Sequence, residues 1–118
     1  MKTLIILVVG LLSIGCLTPE QKQKALRDSV VGEYVFKDED GNTYKEVFLD
    51  NGVLEGYING DKLIDYKWSI VNGEIHAQYD YGIGVYRINP DKSITEFASI
   101  NLDGKRTDRL KEKQSIYF

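Results

Sequence analysis

The chain has 118 residues, a formal net charge of −3 and one cysteine. That length bounds it to one small domain, and its mild acidity argues against a nucleic-acid partner. With Cys16 alone, no intramolecular disulfide can form, so packing must hold the fold.

The chain starts MKTLIILVVGLLSIGC. Lys2 gives a short positive region, and Leu4 to Leu12 is an uncharged run too short to span a bilayer comfortably. That is the layout of a secretory signal peptide rather than of a membrane helix. An ordinary cleavage site reads small-x-small, whereas here Leu12, Ser13, Ile14 and Gly15 lead straight into Cys16.

This stretch resembles the lipobox of bacterial lipoproteins. The resemblance implies cleavage just before Cys16, a diacylglycerol on its sulfur and, often, an acyl group on the new amino terminus. Two or more acyl chains anchor a protein firmly where one does not. Ser13 stands where the family usually has Leu, with Leu12 one place further out. Leu17 replaces the Asp that in Gram-negative lipoproteins favours the inner membrane. The expectation is therefore residues 1–15 as a signal peptide and an exported chain held to the membrane by the lipid on Cys16. The outer membrane is favoured if the organism has one.

Thr18, Pro19 and Gln21 form a helix start: Thr18 caps, Pro19 suits the first turn and Gln21 completes a capping box. The charged segment that follows has few apolar residues before Val30. Residues 16–29 are accordingly expected to be a lipidated tether with a short helix.

From Val30 the pattern changes to short runs rich in Val, Ile, Tyr and Phe. They are separated by Asp40-Gly41-Asn42, Asp50-Asn51-Gly52, Asn59-Gly60-Asp61, Asn72-Gly73, Asn89-Pro90-Asp91 and Asp103-Gly104. Asn-Gly and Asp-Gly between apolar runs are strong hairpin signals. Alternation places Ile64, Tyr66, Trp68 and Ile70 on one face of a strand, and Ile75, Ala77 and Tyr79 on one face of the next. Residues 30–118 are expected to be all-β: an antiparallel up-and-down meander of about eight strands forming a small barrel or half-barrel. Closing the meander removes its unpaired edges. The terminal Ser115 to Phe118 are expected to pair as a closing strand. Charges on the outer phase, such as Lys45, Lys67 and Glu74, exclude a membrane-spanning barrel.

Gly32-Glu33-Tyr34 opening the first strand, repeated tight hairpins and a mid-chain Trp68 make the layout similar to small lipocalin-like domains of bacterial lipoproteins. The resemblance implies a binding domain for a small apolar ligand or a protein partner.

Catalytic and metal signals are sparse. His76 is the only histidine, and its strand phase makes it a surface residue rather than a zinc ligand. Asp38 to Asn42 has the flavour of a calcium loop, but the sixth and twelfth places hold Thr43 and Leu49, so an acidic hairpin turn is expected. Ser69, Ser93 and Ser99 lack a base and an orienting group. Lys105, Arg106, Arg109 and Lys113 are interleaved with Asp108 and Glu112, which reads as a solvated face. Glu46 and Glu96 interrupt apolar phases; a bulge that turns them outward is expected in preference to inward carboxylates lining a polar pocket. No catalytic residue, metal or cofactor is assigned.

The chain has eight tyrosines. Most are expected to pack, because Tyr favours strands, yet phenols lining a small barrel also offer a ligand apolar faces and polar tips. Tyr34, Phe36, Tyr66, Trp68, Tyr79 and Tyr86 are the candidate ligand contacts. The expected function is a non-enzymatic envelope binding module. The alternative is a structural or inhibitory protein that works through its outer surface and hairpin loops.

Overall fold

The computed structural model describes residues 17–118, so the expected signal peptide and Cys16 lie outside the described residues. One helix, α1 (Pro19–Val30), precedes nine strands: β1 (Gly32–Lys37), β2 (Thr43–Phe48), β3 (Val53–Ile58), β4 (Asp61–Val71), β5 (Glu74–Tyr79), β6 (Gly82–Ile88), β7 (Ile94–Asn101), β8 (Arg106–Asp108) and β9 (Ser115–Tyr117). The first eight follow one another across a single antiparallel sheet. β8 pairs with one end of β7, and β9 returns to pair with the other end, Ile94 to Glu96. Phe118 then exchanges two backbone hydrogen bonds with Val35 of β1, at 2.7 and 2.9 Å. The terminal strand thus joins the two margins of the meander, as expected from the edge argument.

The turns follow the expected chemistry. Asn59-Gly60 and Asn72-Gly73 have positive φ at both residues, 51° and 87°, 50° and 80°. That geometry matches the right-handed twist of the flanking strands. Register shifts fall at Glu55/Tyr57 on β3 and at Val85/Tyr86, where β7 leaves Phe97 without a direct partner. Such bulges bend a strand and help a sheet to curl.

Successive hairpins alternate between the two ends of the curled sheet. The turns after β2, β4 and β6 lie at the end where α1 packs, and those after β1, β3, β5 and β7 lie at the opposite, open end. The capping box at Thr18 is formed in full: Gln21 N donates to Thr18 Oγ1 at 3.1 Å, and Thr18 N donates to Gln21 Oε1 at 2.9 Å. The helix is not a free tether, because it covers one end of the barrel. Val30 is fully buried and Leu26 packs on the core. Arg27 lays its guanidinium 4.5 Å from the Trp68 ring centroid and donates to the Asp50 carbonyl. Trp68 in turn donates from Nε1 to the Leu49 carbonyl at 2.8 Å.

Phe48 anchors the floor beneath the open end. Its ring meets Tyr34, Trp68 and Tyr86 edge-on, at centroid distances of 5.6, 5.4 and 6.2 Å. Leu54, Ile75 and Ala77 complete this packed layer. The alternation reading holds for Trp68 and Ile70 but not for Ile64, which is 61% exposed. β4 pairs with β3 along its first half and with β5 only from Lys67 onward, so Ile64 stands on a stretch that β5 does not cover. Among the described residues, no helix is long and apolar enough to cross a membrane.

Candidate functional site

Above the Phe48 layer the interior is not filled. A cavity of about 260 Å³ lies at the open end, lined by Leu63, Gly56, Glu46, Glu96 and every tyrosine except Tyr34. Period-two alternation puts them there. Tyr44, Glu46 and Phe48 share the inner phase of β2, and Glu46 stands opposite Gly56 on β3. A Cβ at Gly56 would lie 3.5 Å from the Tyr66 ring and 3.7 Å from Leu63, so the glycine lets those two side chains close on β3. Gly84 on β6 does the same service: a Cβ there would lie 3.0 Å from Tyr79 and 3.2 Å from Tyr86. Its absence lets those two rings converge.

Glu46 and Glu96 therefore face inward, contrary to the outward orientation expected. The bulge at Phe97 keeps Glu96 opposite the buried Tyr86 rather than turning it out. Glu96 forms an ion pair with Arg109, which follows β8. Glu46 has no cationic partner among the described residues. The Tyr79 hydroxyl donates to its Oε1 at 2.6 Å. Tyr86 lies 2.7 Å from the Tyr79 oxygen and 3.3 Å from Oε1. Each phenol has one proton, so the distances describe a relay in which Tyr86 donates to Tyr79 and Tyr79 donates to Glu46.

Glu46 Oε2 is buried and has no hydrogen-bond partner among the described residues. Glu46 as a residue is only half-buried. Burial pushes its pKa up to about 7; the Tyr79 hydrogen bond opposes the shift, and the Glu96 charge adds to it. The phenols of Tyr79 and Tyr86 are held well above their ordinary value, first by burial and then by the Glu46 charge. The carboxyl group is thus a titratable charge buried in an aromatic wall, and near neutral pH it is poised between charged and neutral forms.

The candidate ligand contacts divide into three groups. Tyr66, Tyr79 and Tyr86 line the cavity. Tyr34 and Trp68 lie in the packed floor, where Tyr34 donates to the Val30 carbonyl at 2.6 Å. Phe36 packs behind the wall against Tyr117 and Tyr44, at 5.3 and 6.1 Å. The sequence reading missed Tyr44, Glu46, Tyr57, Tyr81, Glu96 and Tyr117 as a set. Strict alternation along Tyr44-Lys45-Glu46-Val47-Phe48 was the signal for two of them.

Two other expectations changed. His76 is 9% exposed rather than a surface residue, and Arg106 of β8 reaches its strand neighbour Glu74. Arg106 makes a bidentate pair with Glu74, both bonds 2.8 Å, and Glu74 Oε1 lies 3.2 Å from His76 Nε2. Arg106 and Arg109 are thus committed to specific carboxylates, while Lys105 and Lys113 lie exposed. Asp38 behaves as a turn residue: its carboxylate accepts from Asp40 N, Asn42 N and the Tyr44 hydroxyl. Among the described residues, no group of three or more His, Cys, Asp and Glu is placed to hold a metal ion.

No family model, curated protein or solved structure matches the chain.

Proposed function

We propose that the protein is a membrane-anchored envelope lipoprotein whose β-barrel is a non-enzymatic binding module for a small molecule. One observation carries the binding part: the tyrosine-walled cavity at the open end, with Glu46 Oε2 buried and unpaired in its wall. A merely structural interior would be filled there, as the Phe48 layer below it is, and would not bury a polar group without a partner. The cavity lies just below the range of roughly 300–1,000 Å³ usual for small-molecule sites, which limits the guest to a small compound. The anchoring part rests on the likeness of residues 1–16 to a lipobox.

Native mass spectrometry of the exported protein, recovered gently, tests the binding reading. It should show an adduct of small-molecule mass that is lost on unfolding. A clean apo mass, unchanged after incubation with envelope extract, would contradict it. The second reading, a protein partner on the loop end, draws on Tyr81 and Leu102. These side chains are 71% and 77% exposed at the tips beside the cavity. Chemical crosslinking through those tips in the intact envelope distinguishes the two.

A further inference from the structure

The cavity's walls and its charge together define the guest. We propose that it takes a small organic cation, a protonated amine or quaternary ammonium, with its charge held near the Glu46 carboxylate in the wall and its alkyl groups against the tyrosine rings. The proposal rests on the small-molecule reading above and narrows it.

Charge comes first. Two carboxylates face the interior, but Glu96 is neutralised by Arg109. Glu46 is left as one uncompensated negative charge. An anionic guest would meet like charge in a poorly solvated space. A neutral apolar guest would leave that charge uncompensated and remove more of the water near it. A cation resolves both problems.

The walls decide what kind of cation. Tyr66 meets Tyr79 edge-on at 5.1 Å, and Tyr81 stacks on Tyr79 at 5.3 Å with an interplanar angle of 10°. Tyr117 packs against Tyr86 at 5.9 Å. These rings line the same cavity as Glu46, in a space bordered by Leu63 and Gly56. A divalent inorganic ion needs six or more oxygen ligands to replace its water. Alkylammonium groups are satisfied by aromatic faces and a single counter-charge. The volume, about 260 Å³, suits one ammonium with a few carbons.

The arrangement also sets a pH response. The groups facing Glu46 are Tyr79 on β5, Tyr86 on β6, Glu96 with Arg109 from the β7–β8 side, and Tyr117 on β9. Burial holds the three phenols above their ordinary value, so they stay neutral. Glu46 itself is pushed up to about 7. A bound cation favours its charged form, so binding releases a proton near neutrality.

The test is isothermal titration calorimetry of the full protein with choline and with 3,3-dimethyl-1-butanol, its uncharged carbon isostere. At about pH 8 choline should bind at least about tenfold more tightly than the isostere, and its affinity should fall about tenfold between about pH 8 and about pH 6. Glu46→Gln should remove the preference and the pH dependence. Tyr81→Leu changes a wall residue that is 71% exposed. It should weaken choline severalfold and spare the isostere. If the isostere binds as tightly as choline, the cation assignment is overturned and the small-molecule site stands. If neither binds and the native protein carries no adduct, both readings fall.

Discussion

Replacing Glu46 by Gln removes the one carboxylate of the cavity that lacks a cationic partner, and keeps its shape and the acceptor for Tyr79. Its effect on stability should depend on pH in a way that follows from burial. A carboxyl group raised from 4.5 to about 7 in the folded state favours folding while neutral. That contribution is complete below the unfolded value and is lost as pH rises through about 7. At 1.36 kcal/mol per tenfold change in proton affinity, the loss amounts to about 3 kcal/mol. Gln does not titrate. The variant should match the wild type near pH 4 and exceed it by up to about 3 kcal/mol near pH 8. Urea unfolding followed by the fluorescence of Trp68, which is 3% exposed, measures this across the range. A difference between the two proteins that stays constant with pH would refute the reasoning.

Phe48→Ala should cost about 3–5 kcal/mol, because the ring is fully buried between Tyr34, Trp68 and Tyr86; equilibrium denaturation reads this directly. Gly84→Ala should cost about 1–3 kcal/mol, since its Cβ would press on Tyr79 and Tyr86, and it should weaken any cavity ligand in the same titration. Arg106→Ala should lower the urea midpoint above about pH 4.5 and have no effect near pH 2. The Arg106 bond is what holds Glu74 down to about 2, a contribution present above the unfolded value and lost as pH falls toward the folded one. Cys16→Ser should abolish metabolic labelling with fatty acid; persistent label would remove the basis for membrane anchoring.

The architecture was legible because its signals are local. Asn59-Gly60 and Asn72-Gly73 announce hairpins by backbone chemistry alone, and Thr18 with Gln21 announces a helix start. Alternation then sorts most side chains into inner and outer sets. The site was only partly legible, because the same signal carries two meanings. Tyr34 and Tyr79 have similar sequence contexts, yet one fills the floor and the other lines a cavity. What separates them is distance from the helix end, which depends on how α1 packs. Glu46 and Glu96 obey the inner phase, but a carboxylate there predicts an outward bulge unless its partners, Arg109 for Glu96 and Tyr79 for Glu46, are known, and both come from distant strands or loops. His76 was misread for a comparable reason: β8 is too short to leave a periodic pattern, so nothing foretold that Arg106 would reach Glu74 beside it.

The central claim is that the cavity at the open end receives a guest while the floor does not. Tyr34 offers an internal control, being the one tyrosine outside the cavity. NMR of protein labelled with ¹³C at its tyrosine rings, compared as recovered and after unfolding and refolding free of ligand, separates the two regions. The account predicts that the resonances of Tyr66, Tyr79, Tyr81, Tyr86 and Tyr117 move together and that those of Tyr34 stay in place. Identical spectra before and after, or movement confined to Tyr34, would contradict it.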